Sequence, residues 1–268
     1  MKKLAIIGGG NMGEALIKGI LRAGIVDRTH VILSEIKRER KEELVKTYGI
    51  QAATTNIEAV NESDGVIICV KPQQISEVLS EMSRTRTDGK LFISIAAGIK
   101  VDKIKMYLGS KTHVVRVMPN TPAACLQGVS AIYFEPDCSE EERLWAVKIF
   151  QSVGRTVIIE KEELMDAVTG LSGSGPAFVY TFLEALADGG VKMGLSKDVA
   201  LMLAAQTIYG AITLYFESGL HPAALRDRVT SPGGTTIYGL MEMERGGFRA
   251  LVMRAVEAAA TRSREISA

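Results

Sequence analysis

The residue pattern with the clearest chemical meaning is a glycine-rich turn near the N-terminus. An apolar run, LAII, leads directly into Gly8, Gly10 and Gly13, which have the spacing G-x-G-x-x-G. At this spacing the first glycine makes a tight turn, the second lets the backbone approach a pyrophosphate, and the third allows a helix to pack closely on the strand. The N–H groups at the start of that helix attract phosphate oxygens. The pattern therefore predicts a dinucleotide-binding site directly after the first strand.

Glu35 bears on which dinucleotide is bound. It follows the second strand candidate, HVILS, about 20 residues after Gly13, where an acid accepts hydrogen bonds from the adenosine ribose and repels a 2′-phosphate. Lys37, Arg38 and Arg40 follow directly, and such cations bind phosphate instead. A further interpretation places Glu35 in the first turn of a helix, with the basic residues in solvent. The residues leave the choice between NADH and NADPH open.

A second pattern, near the C-terminus, has the chemistry of a carboxylate site. Ser231, Gly233 and Gly234 precede Thr235 and Thr236, and a helix is predicted to begin near Thr235. Unpaired N–H groups at a helix N-terminus, beside the hydroxyl groups of this segment, form a neutral cradle for a small carboxylate. The same residues are also typical of a helix–helix turn with threonine caps. Both interpretations stand on the residues alone.

The elements that must position these residues follow from the hydrophobic pattern. Over residues 1–160, short β-branched runs alternate with segments of helical periodicity, which predicts βαβ units and an α/β Rossmann-type dinucleotide-binding domain. Residues 161–268 are rich in Ala, Leu, Met and Gly at helical spacing, which predicts an all-α domain. A helical domain of this size has a thin core by itself, and two interlocked copies would bury more apolar surface. We therefore expect the second domain to form a homodimer.

Composition argues against several other classes of protein. The 268 residues carry a net charge of +1, so no long-range field attracts nucleic acid or a membrane surface. The opening apolar run is too short for a signal peptide, and no apolar stretch approaches the length of about 20 residues that spans a bilayer. Cys69, Cys125 and Cys138 are odd in number and widely spaced, as are the histidines, so neither disulfides nor a metal site is expected. We expect a cytoplasmic protein with no metal, nucleic-acid or membrane partner.

In its motifs the chain resembles the Δ1-pyrroline-5-carboxylate reductase family. The resemblance covers almost the whole chain in order and spacing, and it rests on IIGGGNMGEAL, VKPQ, SIAAG, VVRVMPNTPA, LSGSGPAFVY and HPAALRDRVTSPGGTTIYGLME. It implies a Rossmann domain followed by a helical dimerisation domain, with dimers that assemble into rings in some members. Each active site would lie between the nucleotide domain of one chain and the helical region of the dimer. The implied reaction is the reduction of 1-pyrroline-5-carboxylate, a cyclic imine, to L-proline with NADPH or NADH, the last step of proline biosynthesis.

Carried over by motif, the resemblance implies sets of residues for the cofactor and for the substrate. The pyrophosphate would bind at Gly8, Gly10, Asn11, Met12 and Gly13. The adenosine and central part of the cofactor would contact Asn56, Val70, Lys71 and Pro72, and the nicotinamide half would lie beside Ala96, Ala97 and Gly98. The substrate would be lined by Met118, Pro119 and Asn120, its carboxylate would be bound by Ser231, Gly233, Gly234 and Thr235, and its ring nitrogen by Thr236. Glu35 departs from the small polar residue common in NADPH-preferring members.

The implied reaction explains why these sets contain no strong acid. A protonated imine is already a good electrophile, and fixing the reacting carbons about 3–3.5 Å apart contributes much of the rate. We therefore expect Thr236 to be the catalytic residue by orienting the ring nitrogen, because a neutral hydroxyl is a poor acid. Lys71 is interpreted as a cofactor contact or a solvated charge rather than a proton donor. Arg116 and Asp166 are interpreted as structural ion-pair or surface residues.

Two other functions fit a chain with this organisation. A related β-hydroxyacid or imine dehydrogenase would share the two-domain plan, but the hydroxyacid enzymes use a lysine on the long inter-domain helix. Here residues 174–191 contain none, and Lys192 stands near the helix end. A non-catalytic NAD(P)-binding regulator would have a degraded substrate loop, whereas the loop from Ser231 to Thr236 is intact.

Overall fold

A computed structural model describes residues 2–267 of the chain, in which strands and helices alternate up to the last strand and helices follow. The strands are β1 Leu4–Ile7, β2 Val31–Ser34, β3 Gln51–Ala52, β4 Gly65–Ile68, β5 Leu91–Ser94, β6 His113–Met118, β7 Gly128–Phe134 and β8 Gly154–Ile158. The helices are α1 Asn11–Arg22, α2 Arg38–Tyr48, α3 Asn56–Asn61, α4 Ile75–Met82, α5 Val101–Leu108, α6 Glu140–Gln151, α7 Met165–Val168, α8 Gly175–Lys192, α9 Lys197–Ser218, α10 Pro222–Arg228, α11 Thr235–Arg245 and α12 Phe248–Ser267.

The strands form one sheet in the order β3-β2-β1-β4-β5-β6-β7-β8. Neighbouring strands are parallel throughout, except that β6 and β7 are antiparallel. The strand order reverses at β1, which has β2 on one side and β4 on the other. In open α/β sheets, such a reversal leaves a crevice at the carboxyl ends of the strands, where ligands bind. The predicted Rossmann-type fold is confirmed.

The central strands are buried on both faces because helices cover the sheet on both sides. Every residue of β1, β2, β4 and β5 is buried, and apart from Ser34 and Ser94 at two strand ends these strands are apolar runs without polar alternation. In β1, Leu4 and Ile6 pack into one helical layer, whereas Ala5 and Ile7 pack into the other. The two layers hold the carboxyl end of β1, and with it the glycine-rich turn, in a fixed position.

The compact units of the chain do not divide at the predicted boundary of residue 160. One unit comprises the chain up to Ser174 together with the stretch from Ala258 onward, and the other comprises Gly175–Glu257. The segment after residue 160 stays with the sheet because Glu162 Oε1 accepts hydrogen bonds from Arg116 Nη1 at 3.1 Å and from the Val101 N–H at 2.8 Å. Arg116 is therefore a structural ion-pair residue, as the sequence indicates.

The second unit has a small apolar core. Ala187, Ala200 and Ala204 form its buried cluster among the described residues, and many of its larger apolar side chains are exposed, among them Met202 and Leu203 on α9. The expected thin core is therefore present. A single chain leaves much apolar surface of these helices in water.

Helix α9 contradicts one expectation from the sequence. Its 22 residues, with a mean hydropathy of 1.6 over the best window, make it the one helix of the described chain that is long and apolar enough to cross a membrane. That test considers length and composition only. The helix meets it because its charged residues, Lys197, Asp198 and Glu217, stand at the two ends.

Candidate active site

A cleft of about 530 Å³ opens at the carboxyl ends of the strands where their order reverses. The predicted cofactor residues that line it are Gly8, Gly10, Asn11, Glu35, Asn56, Val70 and Lys71. They come from loops after β1, β2 and β4 and from the start of α3. Residues distant in the sequence are thus gathered around one cavity that is large enough for part of a dinucleotide.

The three glycines of the N-terminal turn have three different geometries. Gly8 has a φ of +103° and donates from its N–H to the Ser34 carbonyl at 2.8 Å. A Cβ on Gly13 would lie 2.2 Å from the Gly8 oxygen, so only glycine lets α1 start this close to the strand. A Cβ on Gly10 would meet no atom within 4 Å, because this position faces open space. These geometries are those that a phosphate-binding turn requires.

Two backbone N–H groups, one in the glycine-rich turn and one just after Glu35, hold the Glu35 carboxylate in place. Its Oε2 accepts the Gly9 N–H at 2.6 Å, and its Oε1 accepts the Lys37 N–H at 2.8 Å. The carboxylate is therefore fixed at the wall of the cleft, next to the glycine-rich turn.

Arg40 lies close to this turn but is engaged in a network of its own. Its Nε donates to the Gly9 carbonyl at 2.9 Å, its Nη1 pairs with Glu43 at 2.8 Å, and its Nη2 pairs with Glu14. The hydrogen bond from Arg40 is the main cause that holds the pKa of Glu14 below its ordinary value. Tyr48 donates a further hydrogen bond to Glu14 at 3.0 Å.

Asn56 is linked to a carboxylate that sequence analysis did not single out. Its Oδ1 accepts the Ser34 hydroxyl at 2.7 Å, and its Nδ2 donates to Glu81 Oε2 at 2.7 Å. The other oxygen of Glu81 accepts the Asn56 N–H at 3.1 Å. Ser34 and Glu81 also line the cleft. Glu81 lies on α4, far from Asn56 in the sequence, and no local pattern connects the two.

The remaining predicted cofactor residues do not line the cleft. Met12 and Gly13 lie in the first turn of α1, and Pro72 begins a short 3₁₀ turn after Lys71. Ala96, Ala97 and Gly98 follow β5 at the same edge of the sheet. Cys69, just before Val70, lines the cleft and also packs against the core, and burial raises the pKa of its thiol, which disfavours the thiolate.

Asn120 is predicted to line the substrate site with Met118 and Pro119. In the structure, both polar atoms of its side chain form hydrogen bonds within the fold. Its Oδ1 accepts the Val129 N–H at 2.9 Å, and its Nδ2 donates to the Ser172 carbonyl at 3.2 Å. Ser172 belongs to one turn of π-helix, Thr169–Gly173, a form that often occurs at functional sites. Asn120 therefore fastens this turn to the sheet.

The loop from Ser231 to Gly234 leads into helix α11 through a glycine turn. Helix α11 begins after Gly234, and no side chain caps its first N–H groups. Gly233 has a φ of +67°, and a Cβ on Gly234 would lie 2.2 Å from Ser231 Oγ. The Ser231 hydroxyl thus lies beside Gly234, the residue that precedes the first turn of α11. Thr235 and Thr236 belong to that first turn. Threonine capping, the other interpretation of this segment, is absent from the described geometry.

Within the described residues, no group of three or more histidine, cysteine or acidic side chains is arranged to hold a metal ion. Helix α8 carries Lys192 at its last turn and no earlier lysine, unlike the hydroxyacid enzymes considered above.

A Rossmann sheet with an open phosphate-binding turn, followed by helices with an exposed apolar surface, defines a dinucleotide-dependent oxidoreductase with a helical association domain. Two family models match the chain: pyrroline-5-carboxylate reductase dimerisation at residues 162–266, and NADP oxidoreductase coenzyme F420-dependent at residues 3–98. A pyrroline-5-carboxylate reductase of Methanosarcina acetivorans is 44% identical over 99% of this chain and 98% of its own length. The chain belongs to the pyrroline-5-carboxylate reductase family, as its motifs predict.

Two solved structures have the same fold over the whole chain. A pyrroline-5-carboxylate reductase from Coxiella burnetii is 30% identical, with a TM-score of 0.94, and the match covers 100% of this chain and 99% of that one. A pyrroline carboxylate reductase from Plasmodium falciparum with NADP bound is 34% identical, with a TM-score of 0.89, and the match covers 100% and 98%.

Proposed function

We propose that the protein catalyses the NAD(P)H-dependent reduction of 1-pyrroline-5-carboxylate to L-proline. The observation that carries this proposal is the uncapped start of α11 beneath the Ser231 hydroxyl. A small carboxylate can accept the free N–H groups there without competition from a cap. Membership of the family and the cleft at the sheet edge support the same reaction.

The cofactor is proposed to bind along the carboxyl edge of the sheet. The pyrophosphate would lie on the turn and helix start formed by Gly8, Gly10, Asn11, Met12 and Gly13. The adenosine half would contact Glu35, Asn56, Val70, Lys71 and Pro72. The nicotinamide half, which supplies the hydride, would lie beside Ala96, Ala97 and Gly98. The open space at Gly10 and the close contact at Gly13 support the position of the pyrophosphate on this turn.

The substrate carboxylate is proposed to bind at the C-terminal loop. Ser231, Gly233, Gly234 and Thr235 would donate hydrogen bonds to it, and Thr236 would orient the ring nitrogen. Met118, Pro119 and Asn120 would line the site, Asn120 by holding its backbone neighbours rather than by contact through its amide. A neutral set of donors suits a substrate whose imine is already protonated, because added positive charge would oppose that form.

The protein is proposed to act as a homodimer through the apolar helices of its second unit. The match to a dimerisation model and the exposed apolar side chains of α9 support two interlocked copies. Dimers arranged in a ring would be a further level of assembly. A cytoplasmic location is proposed, since all three cysteines are free thiols.

Purified protein incubated with 1-pyrroline-5-carboxylate and either reduced cofactor tests the proposal. We expect loss of the reduced nicotinamide absorbance, and proline as product by mass spectrometry. Cofactor binding without turnover would favour the non-catalytic regulator. Oxidation of a β-hydroxyacid with the oxidised cofactor, without reduction of the imine by the reduced cofactor, would favour the related dehydrogenase.

A further inference from the structure

We infer that this chain uses NADH in preference to NADPH, because the adenosine end of its cleft presents a fixed carboxylate and its arginines are engaged with other carboxylates. The inference rests on the proposed function only in taking the cleft as the cofactor site. The residues that decide it are Glu35, with its neighbouring cations, and the pair Asn56 and Glu81.

Glu35 cannot move aside to admit a phosphate without losing two hydrogen bonds. The N–H groups of Gly9 and Lys37 each donate to one carboxylate oxygen, at 2.6 and 2.8 Å. Each oxygen has a further acceptor site, so the carboxylate can still accept the two hydroxyls of an unmodified ribose. A 2′-phosphate in that position would bring close to two negative charges against it.

The arginines able to offset this repulsion already have partners. Arg40 points its three donor nitrogens at the Gly9 carbonyl, Glu43 and Glu14. Arg38 pairs with Glu42 at 2.7 Å, and its side chain is 87% exposed. Engaging either arginine with a phosphate would leave a carboxylate of α1 or α2 without its cation.

Two lysines of the cleft remain as cations. Lys37 and Lys71 both line the cavity. The Lys37 ammonium is a mobile point charge on a flexible stem, with no planar fork for a phosphate. It stands two residues from Glu35, whose fixed carboxylate attracts it. The lysines therefore permit some binding of NADPH but do not reverse the preference.

Two neutral donors of the cleft, the Ser34 hydroxyl and the Asn56 amide, are already used within the fold. The Ser34 hydroxyl donates to Asn56 Oδ1, and the Asn56 amide donates to Glu81 Oε2, each at 2.7 Å. Without Glu81, the Asn56 amide would be free to donate to a phosphate oxygen. Glu81 is thus a second specificity residue, acting through the position of Asn56.

Equilibrium binding of NADH and NADPH, followed by nicotinamide fluorescence without imine, measures this preference apart from catalysis. We expect the wild type to bind NADH roughly 10- to 100-fold more tightly than NADPH. Glu35→Ser should shift the ratio toward NADPH by a similar factor, and Glu81→Ala, which removes the acceptor of the Asn56 amide, by a smaller one. Glu39→Ser removes the same charge from an exposed position in the first turn of α2, and should leave the ratio unchanged.

Glu35→Gln separates the loss of charge from a folding defect, because its amide oxygen can still accept the hydrogen bond from the Gly9 N–H. It too should bind NADPH more tightly than the wild type does. Equal affinity of the wild type for both cofactors, or an unchanged ratio in both Glu35 variants, would overturn the inference. Imine reduction that is faster with NADPH would overturn it while the proposed function stands. The expected binding preference without imine reduction would contradict the proposed function while the inference stands.

Discussion

The buried hydroxyl of Ser263 donates a 2.6 Å hydrogen bond to the buried Oδ1 of Asp166 across 97 residues of sequence. Asp166 lies just after the sheet ends, and Ser263 lies in the last turns of α12. The chain leaves the first unit after Ser174 and returns to it at Ala258. The bond therefore joins the outgoing and returning segments of the chain within the first unit.

Ser263→Ala is expected to lower the free energy of unfolding by about 1–3 kcal/mol, because it removes the buried hydrogen bond that the Ser263 hydroxyl donates to the Asp166 carboxylate. Urea denaturation of the purified variant measures this. Thr261→Ala, an exposed hydroxyl on the same helix, should change stability little. Equal stability of the two variants would show that this bond does not join the segments energetically.

Gly10→Ala and Gly13→Ala separate binding from folding at the glycine-rich turn. The Cβ at Gly10 faces open space, so this variant should keep its stability within about 1 kcal/mol but lose cofactor affinity. The Cβ at Gly13 would meet the Gly8 oxygen at 2.2 Å, so overpacking should destabilise that variant by about 1–3 kcal/mol or more. Thermal unfolding and cofactor titration measure both. Full cofactor affinity in Gly10→Ala would place the pyrophosphate elsewhere.

Thr236→Val tests whether the hydroxyl acts in catalysis or in binding. If its hydrogen bond to the ring nitrogen strengthens as the amine forms, kcat should fall by about 10- to 100-fold with little change in KM. Proline should still bind, since the proposed carboxylate donors are untouched. Wild-type turnover would refute the role, and loss of proline binding would move Thr236 into the carboxylate site.

Glu14 should contribute to the pH dependence of stability. Its pKa in the folded state lies below its ordinary value of 4.5, chiefly because of the hydrogen bond from Arg40. The stabilisation is therefore complete above about pH 4.5 and is lost as the pH falls through the folded-state pKa. Glu14→Gln should lose less unfolding free energy than the wild type between about pH 5 and 3. Glu39→Gln, an exposed change on α2, is the matched control, and identical pH profiles of Glu14→Gln and wild type would contradict the prediction.

Met202→Glu should weaken association of the chains. Met202 on α9 is 70% exposed, and a charge there would oppose burial against a second copy. Sedimentation should show a dimer for the wild type on dilution and a shift to monomer for the variant. Met106→Glu changes a methionine of the first unit that is 84% exposed, and should leave association unchanged. A compact, active wild-type monomer at high dilution would exclude the dimer.

Features that depend on neighbours along the chain could be predicted from the residues alone. The glycine-rich turn could be predicted because Gly8, Gly10 and Gly13 act within one strand, turn and helix start. The all-helical second half and its thin core follow equally from local periodicity and composition. The short strand β3, Gln51–Ala52, could not be predicted, because two exposed residues carry no pattern of burial.

Features that depend on residues brought together by the strand order become apparent only in the folded chain. The partners of Arg40 and Glu35, the link from Asn56 to Glu81, and the bond from Ser263 to Asp166 all join separate elements. Hydrophobic periodicity shows which face of an element is buried, but not which element covers it. The hydrogen-bond partners of Glu35 and Asn56 in the cofactor cleft and the actual boundary of the compact units therefore emerge only from the folded sheet.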